Sequence, residues 1–365
     1  MNWIKRTALA VIFLIPSIVL LEGGSYFIWR NIEKTNKNLS GQLAVRSILK
    51  QGYGRQSTII PNPYSLYWNN PDFDDPIYGK QFNSGGYRSE ELLDRKSDTV
   101  VVLALGGSTT NMWPYIQDRT RIWTFLLEEK LSLLLHKDVR VINAGLPFGT
   151  TAELLSHYIF KGKYLRPNYV IYHGGGNDAM PLMFPDYKTD YSHVRWSTSG
   201  ISVRSFFKIL VERSYFVRLV VSSILLGDVY NGSPSFSDLN PDEALKRVRS
   251  AESIAFRENL QFLAQETGRN GQQLFLIGFL QAAKSGLTKN RPDLRGLEES
   301  LLAAVDKHDS IMSEIAQKYD SVSFLKLDKA RFDEEWFQDN CHLNEIGEQE
   351  KAQQIFDFLK EHIKP

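Results

Sequence analysis

Thr99-Val-Val-Val-Leu-Ala-Leu-Gly-Gly-Ser-Thr-Thr110 is the stretch on which the fold turns. Its apolar run is short, rich in Val and stopped by two glycines, which is the pattern of a strand covered on both faces. The same punctuation recurs downstream. Val141-Ile142 ends at Asn143-Ala-Gly145, and Tyr169-Val-Ile-Tyr172 ends at Gly174-Gly-Gly-Asn-Asp178. Between them lie helical stretches at about 119–136 and 151–162, the first with Ile122, Phe125, Leu126, Leu131, Leu134 and Leu135 favouring one side. A fourth strand fits Gln273 to Leu280, preceded by a helix from Pro241 to Thr267 that Asn240 can cap and Gly268 can end. A fifth fits Val322 to Leu327, and a last helix runs from about Glu345 to His362. Strand and helix in alternation, with glycine-rich exits, predict one three-layer α/β/α domain with a parallel sheet over 99–365.

Upstream of that domain the composition changes. Residues 31–98 carry Pro61-Asn62-Pro63, Asn69-Asn70-Pro71 and Asp74-Asp75-Pro76, so this linker and N-terminal extension is expected to hold turns and short strands. Before it, Lys5 and Arg6 precede an uncharged run from Thr7 to Leu21. That run reaches only ~22 Å as a helix, short of a ~30 Å hydrocarbon core. Past Glu22, however, Gly23 to Trp29 is again uncharged, with Trp3, Tyr26 and Trp29 placed for interfacial belts. Residues 1–30 are therefore expected to be a single-pass membrane anchor, with Glu22 near the outer boundary and the 99–365 domain periplasmic or extracellular. A cleaved signal and a buried helix are the alternatives; no small-x-small cleavage site follows the run. The segment 179–240 is long for an α/β connection and is expected to be a cap or insertion. Within it, Phe206 to Leu226 is broken by Lys208, Glu212, Arg213 and Arg218. It reads as a helix packed on the domain or as a lid, and not as a second span.

Charge excludes one class of function. The chain of 365 residues has 43 Lys and Arg against 42 Asp and Glu, and shows no basic stripe, so no nucleic-acid partner is expected. Cys341 is the single cysteine, which forbids an intramolecular disulfide. No second His lies at ligand spacing from His342, and neither metal nor cofactor is expected.

Ligands of an open parallel sheet bind outside the carboxyl ends of its strands. Those exits carry Ser108, Gly145, Asn177 and Asp178, and Asp339-Asn-Cys-His342-Leu-Asn344 follows the fifth strand. Acyl transfer needs a nucleophile, a base, a group that orients the base and donors for an oxyanion. Ser108 can be the nucleophile where strand turns into helix, His342 the base, and Asp339 its partner three residues earlier. The amides of Ser108 and Gly145 and the side chain of Asn177 can form the oxyanion hole. Singly, each signal also fits a helix cap or a turn. Together they fall at the expected strand exits, in workable order. Gly106-Gly107 lacks the Gly-Lys of a phosphate loop, which removes that alternative.

These blocks resemble those of the SGNH/GDSL hydrolases. Gly106-Gly-Ser-Thr109 resembles the nucleophile block in a variant form without Gly-Asp-Ser-Leu, and Asn143-Ala-Gly145 the glycine block. Gly175-Gly-Asn-Asp178 is similar to Gly-x-Asn-Asp, and Asp339-x-x-His342-Leu-Asn344 to the final block. Asn83-Ser-Gly-Gly-Tyr-Arg88 looks like the lead-in of membrane-attached members. The resemblance covers roughly 83–360. It implies a flavodoxin-like sheet of five parallel strands, a Ser108–His342–Asp339 triad, an oxyanion hole of Ser108, Gly145 and Asn177, and no metal. An ester hydrolase acting on small esters or acylated glycans is the expected function. An O-acyltransferase for surface polysaccharide and a silent binding or scaffold protein on the same fold are the alternatives.

Overall fold

The computed structural model describes residues 3–35, 58–62, 64–91, 98–191, 193–194, 205–222 and 236–363. It divides into two compact units: residues 1–53 with 196–233, and residues 54–195 with 234–365. The units cut across the division read from the sequence, because the extension from residue 54 belongs with the sheet and part of the insertion belongs with the N-terminal helix.

The larger unit is built on strands β5 (Val100–Gly106), β6 (Val139–Gly145), β7 (Tyr169–His173), β8 (Gln273–Ile277) and β9 (Val322–Leu325). They pair in the order β6-β5-β7-β8-β9, every pair parallel. Residues alternate between the faces as a strand requires. Val101, Leu103, Leu105, Val170, Tyr172, Leu274 and Leu276 face one apolar cluster, shared with helices Thr151–Phe160, Ile254–Arg269 and Glu298–Lys318. Val102, Ala104, Ile171, Phe275 and Ile277 face the other, shared with helices Trp123–Leu135 and Glu345–His362. Both clusters are buried, and each such side chain is worth roughly 1.5–3 kcal/mol of transfer energy. The expected five-stranded parallel sheet with flanking helices is what the chain forms. Its order places the reversal of winding between β5 and β7, so the crevice opens at their exits.

Details of the elements differ from the sequence reading. The helix expected from Pro241 to Thr267 is two helices, Pro241–Ser250 and Ile254–Arg269, parted at Ser253 with φ of 49°. Lys307 Nζ donates to the Arg249 and Ala251 carbonyls left open at that break. Asn240 does cap, accepting from the Glu243 amide at 3.1 Å. Helix Glu298–Lys318 has no counterpart in the sequence reading.

The extension forms two small antiparallel pairs, β1 (Ile59–Asn62) with β2 (Leu66–Asn69), and β3 (Asp74–Asp75) with β4 (Gly79–Lys80). It is tied into the larger unit by buried groups. The Trp68 ring stacks on His157 at 3.9 Å, and Asn69 Nδ2 donates to the Gly145 carbonyl at 2.9 Å.

The smaller unit holds helix Trp3–Thr35, with Pro16 inside it, and helices Ser205–Arg213 and Tyr215–Val220. The single helix expected over Phe206 to Leu226 is interrupted because Ser214 caps the second helix, accepting from the Val217 amide at 3.1 Å; residues 223–226 lie outside the described residues. Its contacts within this unit are with the first helix. Glu22 accepts from Ser214 Oγ and, at 2.8 Å, from the Tyr215 amide, so its carboxylate has protein partners. Leu14, Ile18, Val19, Leu20, Phe27 and Ile28 are exposed. The side chains of residues 3–13 lie outside the described residues, and among the described residues no helix is long and apolar enough to cross a membrane.

Candidate active site

The nucleophile candidate follows β5 directly. After Gly107 the chain makes one turn of helix, Ser108–Asn111, and Met112 ends it in the left-handed region at φ of 61°. Four residues make no macrodipole. The Ser108 amide instead contributes as a first-turn donor, with no earlier helical carbonyl to bind. Two buried groups hold this turn. Lys351 Nζ donates to the Thr109 carbonyl at 3.0 Å and pairs with Glu348, which in turn accepts from the Trp123 amide at 3.0 Å. Thr110 Oγ1 bonds His173 Nδ1 at 3.0 Å. The serine itself stays half-buried and open to the crevice.

His342 and Asp339 come from the segment between β9 and the last helix, whose first turn Asn344 caps by accepting from the Gly347 amide at 3.0 Å. His342 Nε2 lies 2.8 Å from Ser108 Oγ. Its Nδ1 lies 2.7 Å from Asp339 Oδ2 and 2.9 Å from Oδ1. Asp339 Oδ1 also accepts the amides of Cys341 at 2.9 Å and His342 at 2.8 Å. Burial pushes the Asp339 carboxyl up, but the His342 imidazole and these amides outweigh it and hold the group below the usual carboxylate range. A carboxylate that stays ionised can fix the imidazole tautomer and support an imidazolium. Oxygen, sulfur and nitrogen of Asp339, Cys341 and His342 all lie within 4.8 Å of one another. His342 bridges Asp339 and Ser108, and Cys341 Sγ lies 3.6 Å from His342 Nδ1.

The residues expected to form an oxyanion hole lie around the serine turn. Gly175, at φ of 109°, turns the chain after β7 into Gly176–Ala179 and sets Asn177 toward the serine turn. A Cβ on Gly107 would come 2.9 Å from Asn177 Nδ2, so a larger residue before the serine would shift that amide. Asn177 Nδ2 donates one hydrogen to the Gly149 carbonyl at 2.9 Å and carries a second. Asp178 is buried and braces the loop by accepting from Thr151 N at 3.1 Å, Thr151 Oγ1 at 2.6 Å and Tyr191 OH at 3.0 Å.

Gly145 requires a correction. Its amide donates to Asn143 Oδ1 at 3.0 Å, and its carbonyl accepts from Asn69 and Asn111 side chains at 2.9 Å each. A Cβ there would meet the Asn111 amide nitrogen at 2.3 Å. The glycine is needed for close packing of β6 against the serine turn, and its amide is spent inside the fold.

Sequence reasoning missed Tyr115. Its ring lies 3.6 Å from the His342 ring at 9°, and its hydroxyl donates to Asp339 Oδ2 at 2.9 Å. Nothing local in Trp113-Pro-Tyr115 signals this, because the partners stand 224 positions away.

No protein-family model matches the chain, and no curated protein matches it. Solved structures do. It is similar to a lipase/acylhydrolase from Enterococcus faecalis, with 17% identity and a TM-score of 0.42, over 73% of this chain and 98% of that one. A catalytic mutant of an acetylxylan esterase from Geobacillus stearothermophilus matches with 13% identity and a TM-score of 0.40, over 72% and 94%. A GDSL-like lipase from Bacteroides thetaiotaomicron matches with 13% identity and a TM-score of 0.37, over 72% and 88%. Likenesses of this grade carry no argument about chemistry, which rests on the side chains described above.

Proposed function

We propose that this chain is an SGNH-type serine esterase that hydrolyses acyl esters through an acyl-enzyme on Ser108. The observation that carries the reading is the unbroken line from Ser108 Oγ through His342 Nε2 and Nδ1 to Asp339, at 2.8 and 2.7 Å. Three residues from two distant segments meet at hydrogen-bond distance, at the sheet edge where ligands bind.

The geometry gives each group a step. Ser108 Oγ attacks the ester carbonyl carbon while its proton passes to His342 Nε2, and Asp339 supports the imidazolium. The carbonyl oxygen, now negative, is held by the Ser108 amide and by Asn177 Nδ2. The intermediate collapses, the C–O bond to the alcohol breaks, and that oxygen takes the proton from His342. Water then attacks the acyl-enzyme with His342 as base, and the acid leaves as Ser108 regains its proton.

Acetyl and other short acyl esters on glycans or small alcohols are the substrate class in this reading. Passing the acyl group to a sugar hydroxyl in place of water would make the same site a transferase. The chain is further read as anchored by residues 1–30 with the larger unit outside the membrane. Lys5 and Arg6 before the uncharged run support this, as do the exposed Leu14, Ile18, Val19 and Leu20 of the first helix.

Labelling of the full-length chain with a fluorophosphonate probe tests the triad, beside Ser108→Ala. The wild type should label and the variant should not, with unchanged melting temperature. A folded wild type that stays unlabelled would move the protein to the class of silent binding proteins.

A further inference from the structure

We propose that Tyr115 is a positioning residue for the His342–Asp339 pair, and that the buried Arg88 of the extension sets it in place. The proposal rests on the triad reading above. It draws together two features which that reading leaves unused, a stacked tyrosine and a buried guanidinium.

Arg88 is 0% exposed. Among the described residues no carboxylate lies within ion-pair distance of it. Burial draws its pKa down to about 9. Burying such a charge is costly unless its donors are matched. Its two terminal nitrogens are matched mainly by backbone: Nη1 donates to the Asn111 carbonyl at 2.7 Å, and Nη2 to those of Ile116 at 2.5 Å and Gln117 at 3.1 Å, with Gln81 Oε1 at 3.4 Å, while Nε has no partner among the described residues. These carbonyls bracket Tyr115 on both sides. The guanidinium also lies 5.8 Å from the Trp113 ring, and that ring packs on Phe73 of the extension at 5.5 Å. From the other side, Gln338 Nε2 donates to the Tyr115 carbonyl at 3.3 Å. The loop is gripped at both ends, and its tyrosine can keep two contacts at once.

Those contacts act on the base in two ways. The ring, flat on the imidazole, keeps it from rotating off Ser108, and its π face favours the imidazolium that forms during attack. The hydroxyl draws charge from Asp339 and so weakens that carboxylate's hold on a proton at His342. Ser108, Asp339, Tyr115 and Cys341 face the imidazole, with the charges of Arg291, Glu348 and Lys351 farther off. The ring and the hydroxyl push in opposite directions, so two substitutions separate them.

The test uses full-length Tyr115→Phe, Tyr115→Leu and Arg88→Lys. It follows kcat and KM for p-nitrophenyl acetate against pH, and the titration of the His342 ring by NMR with labelled histidine. In Tyr115→Phe the acid limb of kcat/KM and the ring titration should both move to higher pH, as expected when a hydrogen bond to the partner carboxylate is lost. Tyr115→Leu should lose roughly 10- to 100-fold in kcat with KM unchanged, and its limb should lie below that of Tyr115→Phe. Arg88→Lys keeps the charge but loses the forked grip, and should follow Tyr115→Leu in kcat. Wild-type limbs and kcat in both tyrosine variants, or a loss confined to KM, would overturn the role of Tyr115. A wild-type Arg88→Lys would overturn the clamp. The NMR titration needs no turnover, so an unreactive Ser108 would fail the esterase reading while a displaced titration in Tyr115→Phe still upheld the coupling.

Discussion

Asp339 and Asp178 stand behind the two halves of the site, and their environments push them apart. Both are buried and both accept several hydrogen bonds. Asp339 takes two amides, the Tyr115 hydroxyl and the His342 imidazole. Asp178 takes the Thr151 amide and hydroxyl and the Tyr191 hydroxyl. Yet Asp339 is held below the usual carboxylate range, whereas burial raises Asp178 to about 6. The number of donors does not decide the charge. Asp178 is the more deeply buried of the two, and it lacks the imidazole partner that Asp339 has. Asp339 thus stays ionised well into the acid range, while Asp178 takes up its proton near pH 6.

That contrast can be broken at three points. The largest effect is expected on the charged side. Asp339→Asn keeps the shape but offers the imidazole the wrong partner, so kcat should fall by about 10³- to 10⁴-fold. The melting temperature should stay near the wild type, and a variant with more than a tenth of wild-type kcat would show that Asp339 does not orient the base. Asn177→Ala should come next, with about 10²- to 10³-fold lost from kcat and the probe still reacting with Ser108. An unchanged kcat would withdraw Asn177 from the oxyanion hole and leave the Ser108 amide to act without it.

The smallest effect is on stability and carries its own sign. Asp178 binds its proton more tightly folded than unfolded, so its contribution is greatest at low pH and is lost as pH rises from about 4 to about 6. On that account the wild type should lose about 1–3 kcal/mol across the window. Asp178→Asn keeps an acceptor for Thr151 without a charge, and its unfolding free energy should be flatter over the same range. Parallel denaturation curves for the two proteins at each pH would place the raised carboxyl elsewhere.

The same contrast explains what the sequence made legible. Asp339, His342 and their helix lie within a few residues, and a local pattern carries local geometry. The turn at Asn177 was legible because the glycines before it mark where the strand ends. Gly145 misled for a physical reason: a glycine at a strand exit looks the same whether its amide is offered to a ligand or its missing Cβ makes room for Asn111. Tyr115 and Arg88 act through loops far apart in the chain, and nothing in their neighbours announces the meeting. Among the elements, the continuous Val-Leu runs marked the strands to within a few residues. Helix Glu298–Lys318 escaped although Leu301, Ala304, Val305, Ile311, Met312 and Ile315 have helical spacing, because buried His308 and Asp309 break the apolar face. His308 is absorbed by the Gly175 carbonyl at 2.9 Å, a partner the sequence does not reveal.

The bond between Glu22 and Ser214 spans 192 positions of chain. In time, that distance is a delay. At a synthesis rate of roughly 5–20 residues per second, the first helix leaves the ribosome about 10–40 s before its partner segment exists. Through that interval Glu22 has no Ser214 to receive it, and the apolar side chains around it must be sheltered by something other than this protein. The insertion closes on that helix only after the first three strands of the sheet have been made.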